Sequence, residues 1–127
     1  MTSQTPLALG YYFPAEFAPH TATWLSWPHK EASWPGKIHT IFPYYSQFIK
    51  VLTEGERVCI NVGNEAMKTF ALDCLVKANV DISKVDFFMH PTNDAWCRDH
   101  GPAFLLNPSA EIRKVIVETG NYYKKRL

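Results

Sequence analysis

Short apolar runs rich in β-branched and aromatic residues alternate with longer segments of 3.6-residue periodicity. That alternation limits the fold more than any other feature of the chain. Thr21–Trp27 (TATWLSW) is β-branched and aromatic, and it stops at Pro28, as a strand does. Residues 28–36 hold two prolines and a closing glycine and read as a loop. The spacing then predicts a helix over Ile41–Thr53, with Pro43 in its first turn, where a missing N–H costs nothing. Tyr44, Phe48, Val51 and Leu52 fall on one face of it, and Gly55 is its stop.

Arg57–Val62 is a second apolar strand. Asn64 is placed to cap a helix over Glu65–Ala78, with Met67, Phe70, Ala71, Cys74 and Leu75 along one side and Asn79 at the exit. Lys84–Met89 is a third strand, and a polar loop runs from His90 to Gly101. Pro102–Asn107 and Ile112–Glu118 then form a hairpin around a turn at Asn107–Ala110. Strands alternating with helices define an α/β architecture with parallel pairs and one terminal hairpin.

With 127 residues the chain is expected to be a single domain. Pro6, Gly10, Pro14 and Pro19 exclude a regular helix or central strand from residues 1–20, an irregular lead-in. A sheet that ends just after a hairpin leaves an edge unpaired. The chain therefore reads as one piece of a larger fold.

A net charge of +1 and a pI near 7.7 give no field that would select nucleic acid or an anionic membrane. The one basic run, Lys124–Arg126, is a solvated tail. Three cysteines without a CxxC pair argue against a disulfide framework or a structural zinc site. His20, His29, His39, His90 and His100 lack metal-ligand spacing, so no metal is expected. No glycine-rich phosphate loop is present, and no cofactor is expected. The N-terminus has neither a basic n-region nor a long apolar h-region, and no apolar run reaches membrane-spanning length. Cytoplasmic location is expected.

The densest chemistry lies in His90–Pro102 (HPTNDAWCRDHGP), at the carboxyl end of an apolar strand, where α/β sheets usually bind ligands. Asp99 can accept two parallel N–H bonds from a guanidinium, and the Trp96 indole face can stack a planar cation. The plainer alternative pairs Asp99 with Arg98 or uses it as a turn cap, and places Trp96 in the core. Cys97 stands beside Arg98 and His100, which can activate a thiol, but neighbours in an extended stretch point apart. Cys59 and Cys74, in apolar surroundings, read as packed core thiols.

Three segments carry a family resemblance. They are Phe13–Pro28 (FPAEFAPHTATWLSWP) with Trp34-Pro35-Gly36 beyond it, Glu54–Val58 (EGERV), and Asn93–Pro102 (NDAWCRDHGP). Over Tyr12–Val117 the chain resembles the start of the agmatine deiminases and the related Porphyromonas-type peptidylarginine deiminases. The resemblance implies a partial pentein fold, the first repeats of a pseudo-fivefold α/β propeller. Residues 1–11 then form the lead-in of this single partial domain, 1–127, and 118–127 an atypical tail.

It further implies hydrolysis of a guanidinium C–N bond, with agmatine going to N-carbamoylputrescine and ammonia on the polyamine route. Trp96 and Asp99 match the family's substrate-contacting residues. Asp94 and Arg98 match the same motif in a weaker, loop-shaping role, and Trp24, Trp27 and Pro28 match the N-terminal motif as packing residues. The family's catalytic cysteine, histidine and second carboxylate come after the region present here. No catalytic residue is therefore expected in this chain, and turnover by the chain alone is not expected. The resemblance leaves room for a homo-oligomer of the full-length protein, for peptidylarginine as substrate, and for a truncated, non-catalytic guanidinium-binding fragment. A thiol enzyme using Cys97 is a third alternative.

Overall fold

The computed structural model describes residues 5–109 and 116–119. The chain divides into two units, His20–Cys97 and a second formed by Met1–Pro19 with Arg98–Leu127. The larger unit contains β1 (Ala22–Ser26), α1 (Ile38–Gly55), β2 (Arg57–Val62), α2 (Glu65–Lys77) and β3 (Val85–Met89). Its three strands form a parallel sheet in the order β1-β2-β3, with Trp24 opposite Cys59 and Ser26 opposite Asn61. Parallel neighbours need a crossover, and α1 and α2 supply the two.

Side chains alternate across a strand, so each strand has one helix-side set and one open-side set. Val58, Ile60, Val62 and Val85 bury against the helices, joined by Ile49 of α1 and Ala71 and Leu75 of α2. Trp27, which directly follows β1, is 1% exposed and closes this core. Its indole stacks on Phe42 at 5.9 Å and meets the edges of Tyr45 at 5.6 Å and Phe70 at 6.4 Å. The opposite side of the sheet carries Trp24, Ser26, Cys59, Asn61 and Phe88.

The two helices bear out their sequence signals unequally. The Asn64 side chain accepts the Met67 N–H at 2.8 Å, as a cap should. Ala71 and Leu75 are buried, with Met67 and Cys74 packed beside them. Phe70 lies at the rim, 44% exposed, and still touches Phe42 at 4.9 Å. Asn79 leaves the helix with φ 56°, a left-handed value that Asn tolerates.

α1 departs from expectation in two ways. It starts at Ile38 rather than Ile41, because Gly36 turns the chain with φ 67° and the Lys37 N–H bonds to the Trp34 carbonyl at 2.8 Å. Pro43 therefore lies inside the helix rather than in its first turn, and its ring removes one ladder hydrogen bond. The inward face also differs. Ser46, Ile49 and Thr53 are buried and Phe42, Tyr45 and Leu52 pack on the core, while Tyr44, Phe48 and Val51 are exposed. Two overlapping apolar stripes run along this helix, and only the one that meets Trp27 is covered.

Polar contacts close the amino end of the sheet. Arg57 donates to Asp86 across β2 and β3 through Nε and Nη2, at 2.7 to 3.0 Å. Glu56 accepts from Thr23 at 3.0 Å and meets His20 at 2.6 Å. The Lys84 ammonium donates to the Thr53 carbonyl near the end of α1 at 2.6 Å, answering a helix carbonyl with a cation. No helix among the described residues is long and apolar enough to cross a membrane.

The smaller unit contains β4 (Pro102–Leu105) and β5 (Ile116–Thr119), an antiparallel pair. Tyr12 extends it by a bridge to Leu106, with two backbone bonds of 2.9 Å. The turn after β4 starts as expected, with the Asn107 side chain accepting the Ser109 N–H at 2.9 Å. Ala110 and residues 112–115 of the expected second strand lie outside the described residues.

The location of the core separates two kinds of substitution on α1. Ile49→Ala should destabilise the larger unit by about 2–5 kcal/mol, whereas Tyr44→Ala should stay within about 0.5 kcal/mol of the parent. Urea unfolding followed by far-ultraviolet dichroism reads both. A large loss from Tyr44→Ala would show that the other stripe faces the core.

Candidate functional site

Parallel strands present their carboxyl ends along one edge, and the polar loop that follows β3 begins there. Ser26, the last residue of β1, is fully buried, and its neighbour in register is Asn61. The Asn61 amide nitrogen donates to Ser26 Oγ at 3.4 Å, and its oxygen faces His90 Nδ1 at 3.2 Å. Cys97 Sγ approaches Ser26 Oγ at 3.1 Å. From the helix side, the Tyr45 hydroxyl donates to the Ser26 carbonyl at 2.9 Å. Burial, and after it the nearness of Cys97, push the Tyr45 phenol well above its ordinary pKa, so it serves as a neutral donor.

Within the loop, Asp94 is a brace. Its carboxylate accepts the hydroxyl of Ser33, in the 3-10 turn Glu31–Ser33, and the Ala95 N–H at 2.7 Å. Partial desolvation raises the Asp94 pKa. The Ser33 and Ala95 hydrogen bonds, with Lys30 and His29 nearby, outweigh it and hold the carboxyl below the usual carboxylate range. Trp96 is 51% exposed and therefore not a core residue. Its indole packs against Trp34 at 5.5 Å with the planes 33° apart, leaving much of the ring open. Two of the expected site residues, Asp94 and Trp96, thus fall in the larger unit, each with a local support.

Arg98 and Asp99 fall in the smaller unit. Arg98 pairs with Glu16, both side chains being exposed, and so does not occupy the Asp99 carboxylate. Asp99 is exposed and has no hydrogen-bond partner among the described residues. Cys97–His100 forms one helical turn, α3, where sequence reading expected a loop throughout. Side chains do not alternate between two faces in a helical turn as they do in an extended strand, so Cys97 and Arg98 are not set on opposite faces here.

The remaining thiols are poor nucleophile candidates. Burial, reinforced by the Asp86 carboxylate, pushes the Cys59 thiol up; burial and Asp73 do the same to Cys74. Among the described residues no group of three His, Cys, Asp or Glu side chains is placed to hold a metal ion. The sequence pattern does not single out Ser26, Asn61 or Ser33, and it marks His90 only as the first residue of the polar loop. Their contacts span 29 to 71 residues, and no local pattern encodes such contacts.

The Asp94 brace should be acid-labile. A carboxyl whose folded pKa is depressed contributes stability above its unfolded pKa and loses it as the pH falls through the folded value. Near-ultraviolet dichroism of the Trp pair should therefore change as the pH drops below the ordinary aspartate range. Asp94→Asn, which cannot titrate, should abolish that step; a step that persists unchanged would assign it to another group.

Comparison with known proteins gives this chain a family. Residues 12–123 match the sequence profile of the Porphyromonas-type peptidyl-arginine deiminases. The agmatine deiminase of Ectopseudomonas mendocina (strain ymp) is 31% identical over 111 residues, 87% of this chain and 28% of that protein. The agmatine deiminase of Pseudomonas fluorescens (strain SBW25) gives the same identity over the same length and shares. Among solved structures, C. jejuni agmatine deiminase superposes with a TM-score of 0.63 at 25% identity, over 84% of this chain and 30% of that one. A substrate-bound variant of the same enzyme gives 0.69 at 24% identity, over 92% and 32%. These neighbours are of the pentein fold, of which this α/β chain is a part. The chain spans less than a third of the length of the curated relatives it matches. From its profile match over most of its length, the chain belongs to the Porphyromonas-type peptidyl-arginine deiminase family.

Proposed function

We propose that this chain contributes the amino-terminal part of the guanidinium site of an agmatine deiminase, a hydrolase that converts agmatine and water to N-carbamoylputrescine and ammonia. One observation supports this most: Trp96 stays 51% exposed on a loop held by Asp94 and by Trp34. A half-exposed indole packed on a second aromatic ring is suited to a planar cation, whose stacking is worth about 0.5–2 kcal/mol. Asp99 would take the guanidinium nitrogens by paired hydrogen bonds. Its role rests on the motif it shares with Trp96, three residues away in sequence.

In this reading a cysteine thiolate outside these 127 residues attacks the guanidinium carbon and ammonia leaves. Water then resolves the covalent amidino intermediate, with a histidine moving the protons. Raised thiol pKa values at Cys59 and Cys74 fit their exclusion from that role. Cys97 is engaged by Ser26 and is treated as structural. Asp94 and Arg98 shape the loop, the first through Ser33 and the second through Glu16. The product belongs to the route to putrescine, and the reaction is placed in the cytoplasm. The family description keeps peptidylarginine as the second substrate reading, and the names of the curated relatives favour agmatine.

A ligand that binds only the folded state raises the melting temperature. Agmatine should raise that of the purified chain, and putrescine, which lacks the guanidinium, should not. A peptide carrying arginine tests the second reading. Trp96→Ala or Asp99→Asn should weaken agmatine binding by about tenfold or more. Equal shifts with agmatine and putrescine would remove the guanidinium reading. The chain by itself should release no ammonia from agmatine, and sustained release that is lost in Cys97→Ser would instead make Cys97 the nucleophile.

A further inference from the structure

Three polar side chains at the carboxyl ends of the parallel strands form a series of contacts that ends on the residue next to Trp96. His90, Asn61, Ser26 and Cys97 are linked in that order by contacts of 3.2, 3.4 and 3.1 Å. Each comes from a different segment: the end of β3, β2, the end of β1, and the loop. The order also has a polarity. An amide oxygen only accepts, so His90 Nδ1 must carry a proton and donate to Asn61. The Asn61 amide nitrogen then donates to Ser26 Oγ, which leaves the serine hydroxyl proton free to be directed at Cys97 Sγ.

The chain of contacts is anchored at both ends. Ser26 is fully buried, and its carbonyl is held from the helix side by Tyr45 at 2.9 Å. The His90 ring stacks on Phe88 at 5.9 Å, and Phe88 in turn lies against Trp24 at 4.6 Å. Cys97 is therefore attached through Ser26 to the sheet, whereas Asp94 is tied to the 3-10 turn before α1. Trp96 lies between these two attachments and meets Trp34 with its ring. With one attachment the loop could pivot about Asp94; with two, the backbone on both sides of Trp96 is set.

We propose that Ser26, Asn61 and His90 are positioning residues: together they hold Cys97, and through it fix the stacking geometry and exposure of Trp96. This rests on the guanidinium reading for its function, though not for its geometry. It also gives Cys97 a role in which the side chain matters as a hydrogen-bonding partner and not as a nucleophile.

The test uses the full 127-residue chain and two readouts. Near-ultraviolet dichroism reports the Trp34–Trp96 pair, whose signal is identified by its loss in Trp34→Phe. The agmatine-induced shift of the melting temperature reports the site. Cys97→Ala and Asn61→Leu should lose most of the pair's signal and bind agmatine about fivefold to tenfold more weakly, the expected effect of one lost hydrogen bond. Cys97→Ser, which keeps a donor and acceptor at the same place, should retain both. His90→Phe keeps the stacking on Phe88 and removes the donor. His90 is exposed, so this variant should fold even if Asn61→Leu does not, and it should reduce both readouts. The proposal is overturned if Cys97→Ala and His90→Phe leave the pair's signal and agmatine affinity at parent values. It is equally overturned if Cys97→Ser behaves as Cys97→Ala. If the parent shows no agmatine shift, the guanidinium reading fails, while the dichroism arm still decides whether the relay holds Trp96.

Discussion

The packing of Trp27 is the constraint on which the larger unit depends. It follows directly from β1, is almost wholly buried, and touches Phe42 and Tyr45 of α1 and Phe70 of α2. One side chain thus joins the first strand to both crossover helices. Aromatic rings bring large buried area and a preference for offset or edge contacts, so their mutual angles hold helix orientation as well as distance. The same contact decides which side of α1 is inward, and hence that Tyr45 points at the carboxyl end of β1.

From there the route to the site is short. Trp27 and Pro28 end the strand, Ser26 is left fully buried at its edge, and Tyr45 fixes the Ser26 carbonyl from the helix side. Ser26, Asn61 and His90 bring the carboxyl ends of the three strands to bear on the loop that contains Trp96. The core and the candidate site are therefore two faces of one edge. Substitutions that disturb the packing of Trp27 would be felt at Cys97 through Ser26 and Tyr45, without any contact to a ligand.

Much of this was legible in the residues. The strand and helix order follows from periodicity, and the cap at Asn64 and the left-handed exit at Asn79 follow from residue chemistry. The motif Asn93–Pro102 marks the loop, and its position after the third strand places it at the carboxyl edge. Trp96 is half exposed and does not take the core role that was its alternative. The inward face of α1 was not legible, because Phe42, Tyr45, Ile49 and Leu52 and the rival set Tyr44, Phe48, Val51 and Leu52 both satisfy a 3.6-residue repeat. The bracing role of Asp94 was half legible. Its place in the motif suggested loop shaping, but nothing marked Ser33, 61 residues earlier, as its partner.

By itself, then, the sequence determined the alternating α/β order, the location of the polar loop and the family, because periodicity, turn chemistry and motif spacing are local properties of the chain. Only the tertiary structure decided which stripe of α1 is buried, that one helical turn begins at Cys97, and that Ser26, Asn61 and His90 line up on it. The first and the last of these are contacts between residues far apart in sequence. They arise where strand register and helix packing bring segments together, and a linear pattern states which residues are available for such contacts without stating which will meet.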